Sequence, residues 1–212
     1  MTDGSVIIHP VPYFAQWASH RLVREIVTGM LQAADDPLWA EYGAETPEEY
    51  EWWSWRLCGV ACLRMALKYW LNIAPTPLEV ATECVEAGAY VKRVDGLDGL
   101  IYAPFAEYAT SRWGICAESR PQMAAGEIPA LLASGNLLML SVHPSIREPH
   151  VVPLRKGGHL VLAVGATANH LIIHNPSGFH GVSQEFARVT WSEFDRFYAD
   201  RGVVLGKPEG PS

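Results

Sequence analysis

Cys58-Gly59-Val60-Ala61-Cys62-Leu63-Arg64-Met65-Ala66-Leu67 opens on a thiol and a glycine and continues as an apolar pattern with helical spacing. The spacing predicts a helix from Cys58 to about Leu71. A thiol at a helix N-terminus lies at the positive end of the helix dipole, beside N–H groups with no partner inside the helix. Both favour the thiolate, and the same N–H groups can hold a developing oxyanion. Gly59 permits close approach of a substrate backbone. Buried core cysteines are common, so Cys58 needs company before it reads as a nucleophile.

Two downstream stretches supply that company. Gly157-Gly158-His159 heads the apolar strand pattern Leu160-Val161-Leu162-Ala163-Val164-Gly165, and His174-Asn175-Pro176 closes the next one. A histidine at the mouth of a buried strand is placed to act as a general base. If the segments 159–165 and 171–175 pair as an antiparallel hairpin, His159 and Asn175 meet near its open end. The Asn175 amide oxygen would then accept the ring N–H and set the tautomer. The plainer reading of Asn175-Pro176-Ser177-Gly178 is a turn. Gln16 is a candidate second oxyanion donor through its side-chain amide.

The remaining pattern is helices first and strands later, an α+β order. Residues 6–16 read as extended and 19–33 as helical, with Asp35-Asp36-Pro37 breaking the pattern. Thr46-Pro47-Glu48-Glu49 and Thr76-Pro77-Leu78-Glu79 each carry an N-cap threonine with proline at the first helical position. Further helices are expected over 104–113 and 126–134. Strands are expected over 115–118, 137–142, 159–165, 171–174 and 186–190. A helix over 191–199 and a last strand over 203–205 complete the reading. Trp52-Trp53-Ser54-Trp55 reads as core or lid packing in preference to a substrate groove.

Composition limits the function classes. The chain has 212 residues, of which 49% are hydrophobic, enough for a substantial core in one domain. The net charge of −7, with no basic cluster larger than Arg155-Lys156, argues against a nucleic-acid surface or an anionic membrane surface. Met1-Thr2-Asp3-Gly4-Ser5 has neither the basic nor the apolar region of a signal peptide, which points to the cytoplasm. The cysteines Cys58, Cys62, Cys84 and Cys116 contain no Cys-x-x-Cys pair and are expected as free thiols. The histidines match no strong metal-ligand motif, so no metal and no cofactor is expected.

Together these segments resemble the papain-like fold, and within it the peptidase C-39-like group, relatives of the bacteriocin-leader-processing peptidases. The resemblance rests on Val11-Pro12-Tyr13-Phe14-Ala15-Gln16, Cys58-Gly59-Val60-Ala61, the run from Gly158 to Gly165 and Ile172-Ile173-His174-Asn175-Pro176. The Trp191-Ser192-Glu193-Phe194 to Val203-Val204-Leu205 tail resembles the closing helix and strand. It implies N-terminal helices packed on a C-terminal antiparallel β-sheet, with Cys58 as nucleophile, His159 as base and acid, Asn175 as orienter and Gln16 as oxyanion donor. Three features depart from the group. Residues 17–57 separate Gln16 from Cys58 and read as a helical insertion within a single domain spanning 1–212. Asn175 stands where the group commonly has aspartate, and the Cys-Gly-[Ser/Ala]-Cys-[Trp/Tyr] signature of papain is absent. The implied activity is hydrolysis of a peptide or related amide bond through an acyl-enzyme at Cys58. A transferase on the same scaffold and a non-catalytic binding module are the alternatives. The expected partner is a peptide or amide-containing substrate.

Overall fold

A computed structural model describes residues 6–94 and 96–208; the Met1 to Ser5 segment read for a targeting signal lies outside them. The chain starts with β1 (Ile7–Ile8). Short helical turns over His20–Leu22, Ala33–Asp35 and Trp39–Tyr42 then alternate with α1 (Val23–Val27). Next come α2 (Pro47–Ser54), α3 (Cys58–Leu71) and α4 (Pro77–Glu86). A small hairpin of β2 (Lys92–Arg93) and β3 (Gly96–Leu97) precedes α5 (Tyr102–Trp113). The C-terminal half holds β4 (Cys116–Arg120), α6 (Ile128–Ala133), β5 (Leu137–Val142), β6 (His159–Ala166), β7 (His170–His174), β8 (Ala187–Thr190), α7 (Trp191–Phe197) and β9 (Tyr198–Gly206).

Seven of these strands form one antiparallel sheet in the order β4-β9-β5-β6-β7-β8, with β1 also pairing to β6. The fold is thus α+β, with N-terminal helices on a C-terminal antiparallel sheet. All eight residues of β6 are buried, which explains its unbroken apolar run: both faces of the sheet are covered. Leu160, Leu162 and Val164 face the core shared with α3, whereas Val161, Ala163 and Ala166 face a second core with α6 and α7. The same alternation splits Leu137 and Met139 of β5 from Leu138, Leu140 and Val142. No helix among the described residues is long and apolar enough to cross a membrane.

The helix starts follow their sequence signals. Thr46 accepts the N–H of Glu49, and Thr76 that of Glu79, each with proline in the first turn. α3 covers the range its spacing predicts and stops at Asn72, whose φ of 57° ends the helix in the left-handed region.

Two regions differ from expectation. Residues 19–33 do not form one helix, because the chain bends around the fully buried Asp36. That carboxylate accepts from the Ser19 N–H and hydroxyl, the Leu38 N–H and the Tyr50 hydroxyl. A buried charge needs such donors, and collecting them overrides local helix spacing. At the other end α7 stops at Phe197, and β9 begins at Tyr198, five residues before the expected strand start. Tyr198 pairs with Val142, stacks on Phe194 and donates its hydroxyl to the Met123 carbonyl. Pairing with β5 and β4 draws this segment out of the helical pattern.

β1 reaches β6 through Gly165: a Cβ there would lie 2.3 Å from the Ile7 carbonyl oxygen. Gly165→Ala is therefore expected to push β1 off the sheet and to lower stability by about 1–3 kcal/mol in a denaturant titration. An unchanged midpoint would show that the close approach is not required.

Candidate active site

α3 lies against the head of β6, and this contact brings the first candidate residues together. The Cys62 thiol points to the Leu160 carbonyl at 3.8 Å, and a Cβ on the buried Gly59 would meet Leu100 at 2.7 Å and Leu160 at 3.2 Å. Gly59 thus serves close packing of the helix N-terminus against Leu100 and Leu160, a use its position in the motif did not reveal. Cys58 is half-buried at the first position of the helix. Cys58, His159 and Gln16 all line one cleft of about 830 Å³.

Asn175 follows β7 directly, and the β6–β7 hairpin sets it beside His159, with Asn175 Oδ1 2.9 Å from His159 Nε2. The proton positions follow from the partners. The Ser177 backbone N–H can only donate, and it lies 3.1 Å from Asn175 Oδ1, so that atom is the acceptor. His159 Nε2 must then carry hydrogen, which leaves Nδ1 as the basic nitrogen. The Ser177 hydroxyl adds a third contact, 3.1 Å from Nε2 and 3.3 Å from Oδ1. The Tyr13 hydroxyl donates to the Asn175 carbonyl at 3.0 Å, tying this corner to the N-terminal segment.

His174 has a different place. It is fully buried, its Nε2 meets the Val11 carbonyl at 2.8 Å, and its Nδ1 accepts the Phe186 N–H at 3.0 Å. Both ring nitrogens are committed to backbone, so this histidine staples β7 to the N-terminal segment.

Gln16 reaches the cleft although 17–57 intervene, because that segment returns to it. Gln16 Nε2 donates to the Ser54 carbonyl at 2.7 Å, and the Tyr42 hydroxyl donates to the Gln16 carbonyl at 2.8 Å. The Gln16 N–H bonds the Pro176 carbonyl at 2.8 Å, one residue from Asn175. One hydrogen of the amide nitrogen is occupied by Ser54, and a second remains to donate. Of the tryptophan run, Trp53 enters the core, whereas Trp55 is 45% exposed and lines the cleft, in edge contact with Trp17 at 5.0 Å. The expectation of core or lid packing thus holds for Trp53 as core, and Trp55 lies at the cleft.

Burial favours the neutral form of both the Cys58 thiol and the His159 imidazole. It pushes the Cys58 thiol up, while donation from the backbone N–H groups of Leu160, Gly59 and Cys58 itself pulls it back. It lowers His159 from 6.5 to about 4, opposed by the bond to Asn175 and reinforced by the positive charge of Arg147. Cys58, Cys62, Cys84 and Cys116 are all free thiols. Among the described residues no group of three His, Cys, Asp or Glu side chains could hold a metal ion.

Two residues of this corner escaped the sequence reading. Ser177 was hidden inside a turn motif, and Arg147 lies between β5 and β6 with no motif at all, yet its Nη2 donates to the Ser177 hydroxyl at 3.0 Å. An Asn-x-Ser spacing after a buried strand was the only available signal for Ser177.

No protein-family model matches the chain, and no curated protein matches it. Solved structures do. One is a protein from Bacillus anthracis designated a C39-like peptidase, with TM-score 0.58 and 14% identity over 97% of this chain and all of that one. Another is the peptidase domain of Streptococcus ComA, a bi-functional ABC transporter involved in quorum sensing. It matches with TM-score 0.50 and 17% identity over 73% of this chain and 93% of that one. The chain therefore has the papain-like fold of C39-type peptidases.

The depressed His159 pKa has a thermodynamic consequence. Below pH 6.5 the unfolded chain takes up a proton that the folded one refuses until about pH 4. Folding stability is expected to fall by up to about 3 kcal/mol from this residue as pH drops through that window, and to flatten below it. Denaturant titrations of the native chain and His159→Gln at pH 7 and pH 4.5 measure it. Equal losses in both would assign the slope to other groups.

Proposed function

We propose that this chain is a cysteine hydrolase that cuts a peptide or related amide bond. The observation carrying this reading is the Asn175–His159 hydrogen bond in the cleft that Cys58 also lines, which leaves His159 Nδ1 as the nitrogen to receive the thiol proton.

Neutral thiol and neutral imidazole are the resting forms, since burial disfavours both charges. The Cys58 proton moves to Nδ1 as the sulfur attacks the carbonyl, so charge develops only along the reaction path. The tetrahedral oxyanion takes N–H bonds from the Cys58 backbone at the start of α3 and from the second hydrogen of Gln16 Nε2. Collapse expels the amine, which leaves with the proton held on Nδ1. Water, deprotonated by the same nitrogen, then attacks the thioester; the C–S bond breaks, the acid is released and Nδ1 returns its proton to the Cys58 sulfur. Asn175 keeps the ring oriented but, being neutral, gives the imidazolium no counter-charge. Residues 17–57 act in this reading as an insertion that closes on Gln16 and holds its amide in place.

Three variants test the assignment. Cys58→Ala should abolish turnover of a fluorogenic peptide-amide pool, and iodoacetamide should add its mass at Cys58 of the native chain. Gln16→Ala should lower kcat by about 10²–10³-fold with little change in KM. Asn175→Asp should place a carboxylate beside the imidazole, raise the His159 pKa and move the acid limb of the activity profile from near pH 4 toward neutrality. Full activity in Cys58→Ala would refute the reading outright.

A further inference from the structure

The cleft carries the opposite charge to the protein around it. The chain has a net charge of −7, yet three arginines, Arg56, Arg147 and Arg201, line the cleft against one acid, Asp98. Asp98 is already paired with Arg93 at 2.7 Å. Among the described residues, none of the three arginines has a carboxylate within salt-bridge distance.

Arg56 is held by its neighbours: its guanidinium lies over the Trp52 ring at 4.3 Å and donates to the Trp52 carbonyl. Arg147 and Arg201 are different. Arg147 donates from Nη2 to Ser177, while its Nε is buried with no partner. Burial depresses its pKa, opposed by the charge of Glu148, which makes no ion pair with it. Arg201 lies along Gly157, whose absent Cβ would come 3.1 Å from Nη2. Gly157, with φ of +80°, leaves room for the guanidinium two residues before His159. Arg147 is half-buried and Arg201 exposed at the rim; a half-buried guanidinium without an ion-pair partner is costly, and a planar fork is suited to a bidentate carboxylate.

Resting on the hydrolase reading above, we propose that the substrate carries a carboxylate next to the scissile amide, and that Arg147 and Arg201 receive it. Arg147 also touches His159 through Ser177, so loss of carboxylate recognition has to be separated from loss of positioning.

Iodoacetate and iodoacetamide make that separation. Both alkylate a thiolate with release of iodide, have nearly the same shape, and differ in one negative charge. The rate of each at Cys58 is read by peptide mapping, because Cys116 is exposed and also reacts. At pH 7.5 His159 is neutral, so an imidazolium is not the source of any attraction. The ratio of the two rates, normalised to N-acetylcysteine, should favour iodoacetate in the native chain. It should fall about tenfold in Arg147→Gln/Arg201→Gln, whereas a pure positioning role slows both reagents alike. Should the double variant fail to fold, Arg201→Gln alone and a titration of the native chain from low to 0.5 M salt apply. The preference must then shrink in both. A ratio unaffected by the arginines and by salt, with rapid iodoacetamide labelling, overturns the carboxylate and leaves the hydrolase reading standing. If Cys58→Ala retains full turnover of the peptide-amide pool, the nucleophile reading fails and this inference falls with it.

Discussion

The packing of α3 on β6 is the contact on which the rest of this molecule depends. β6 is buried on both faces, so its position is dictated by two cores at once and it has no freedom to slide. A shift of one residue would turn Leu160, Leu162 and Val164 away from α3 and put the opposite set in their place. Gly59 lets the helix N-terminus come down on Leu160, and Cys62 follows one turn later. The thiol and the imidazole are thereby carried by two rigid elements held in register by apolar packing. Their relative placement inherits the precision of the core.

Around that junction, polar groups are arranged in series. Arg147 donates to Ser177, Ser177 contacts both His159 and Asn175, and Tyr13 holds the Asn175 backbone. The result is one defined tautomer with Nδ1 as the basic nitrogen, obtained without any buried carboxylate beside the ring. Among the described residues the one fully buried aspartate lies elsewhere, at Asp36, where it folds residues 17–57 back onto Gln16. Asp98 is the one acid lining the cleft, and it is paired with Arg93, whereas Arg56, Arg147 and Arg201 line it without an ion pair among the described residues.

Legibility in the sequence followed the reach of the interactions. α3 was readable to its ends, since helix spacing and a left-handed stop at Asn72 are local properties. The threonine caps were readable for the same reason. The breakup of residues 19–33 was not, because it depends on Ser19 and Tyr50 converging on Asp36 across long stretches of chain. β9 was under-read because Tyr198 obeys its partners on β5 and not the helical pattern before it. The His159–Asn175 pair was visible as the open end of a hairpin, whereas Arg147 and Ser177 have no signature until the loops are folded.

The amino-acid order alone determined the elements and the cast: a cysteine heading an apolar helix, a histidine heading a doubly buried strand, an asparagine closing its neighbour. Those are one-dimensional facts, set by periodicity and by where polarity interrupts it. Tertiary structure decided what these groups experience. It set which imidazole nitrogen is free, which way burial moves the thiol and the ring, how Gln16 returns to the cleft, and that three arginines line the cleft of an otherwise acidic protein. Each of these depends on desolvation and on partners distant in the chain, quantities that exist only once the chain has closed on itself.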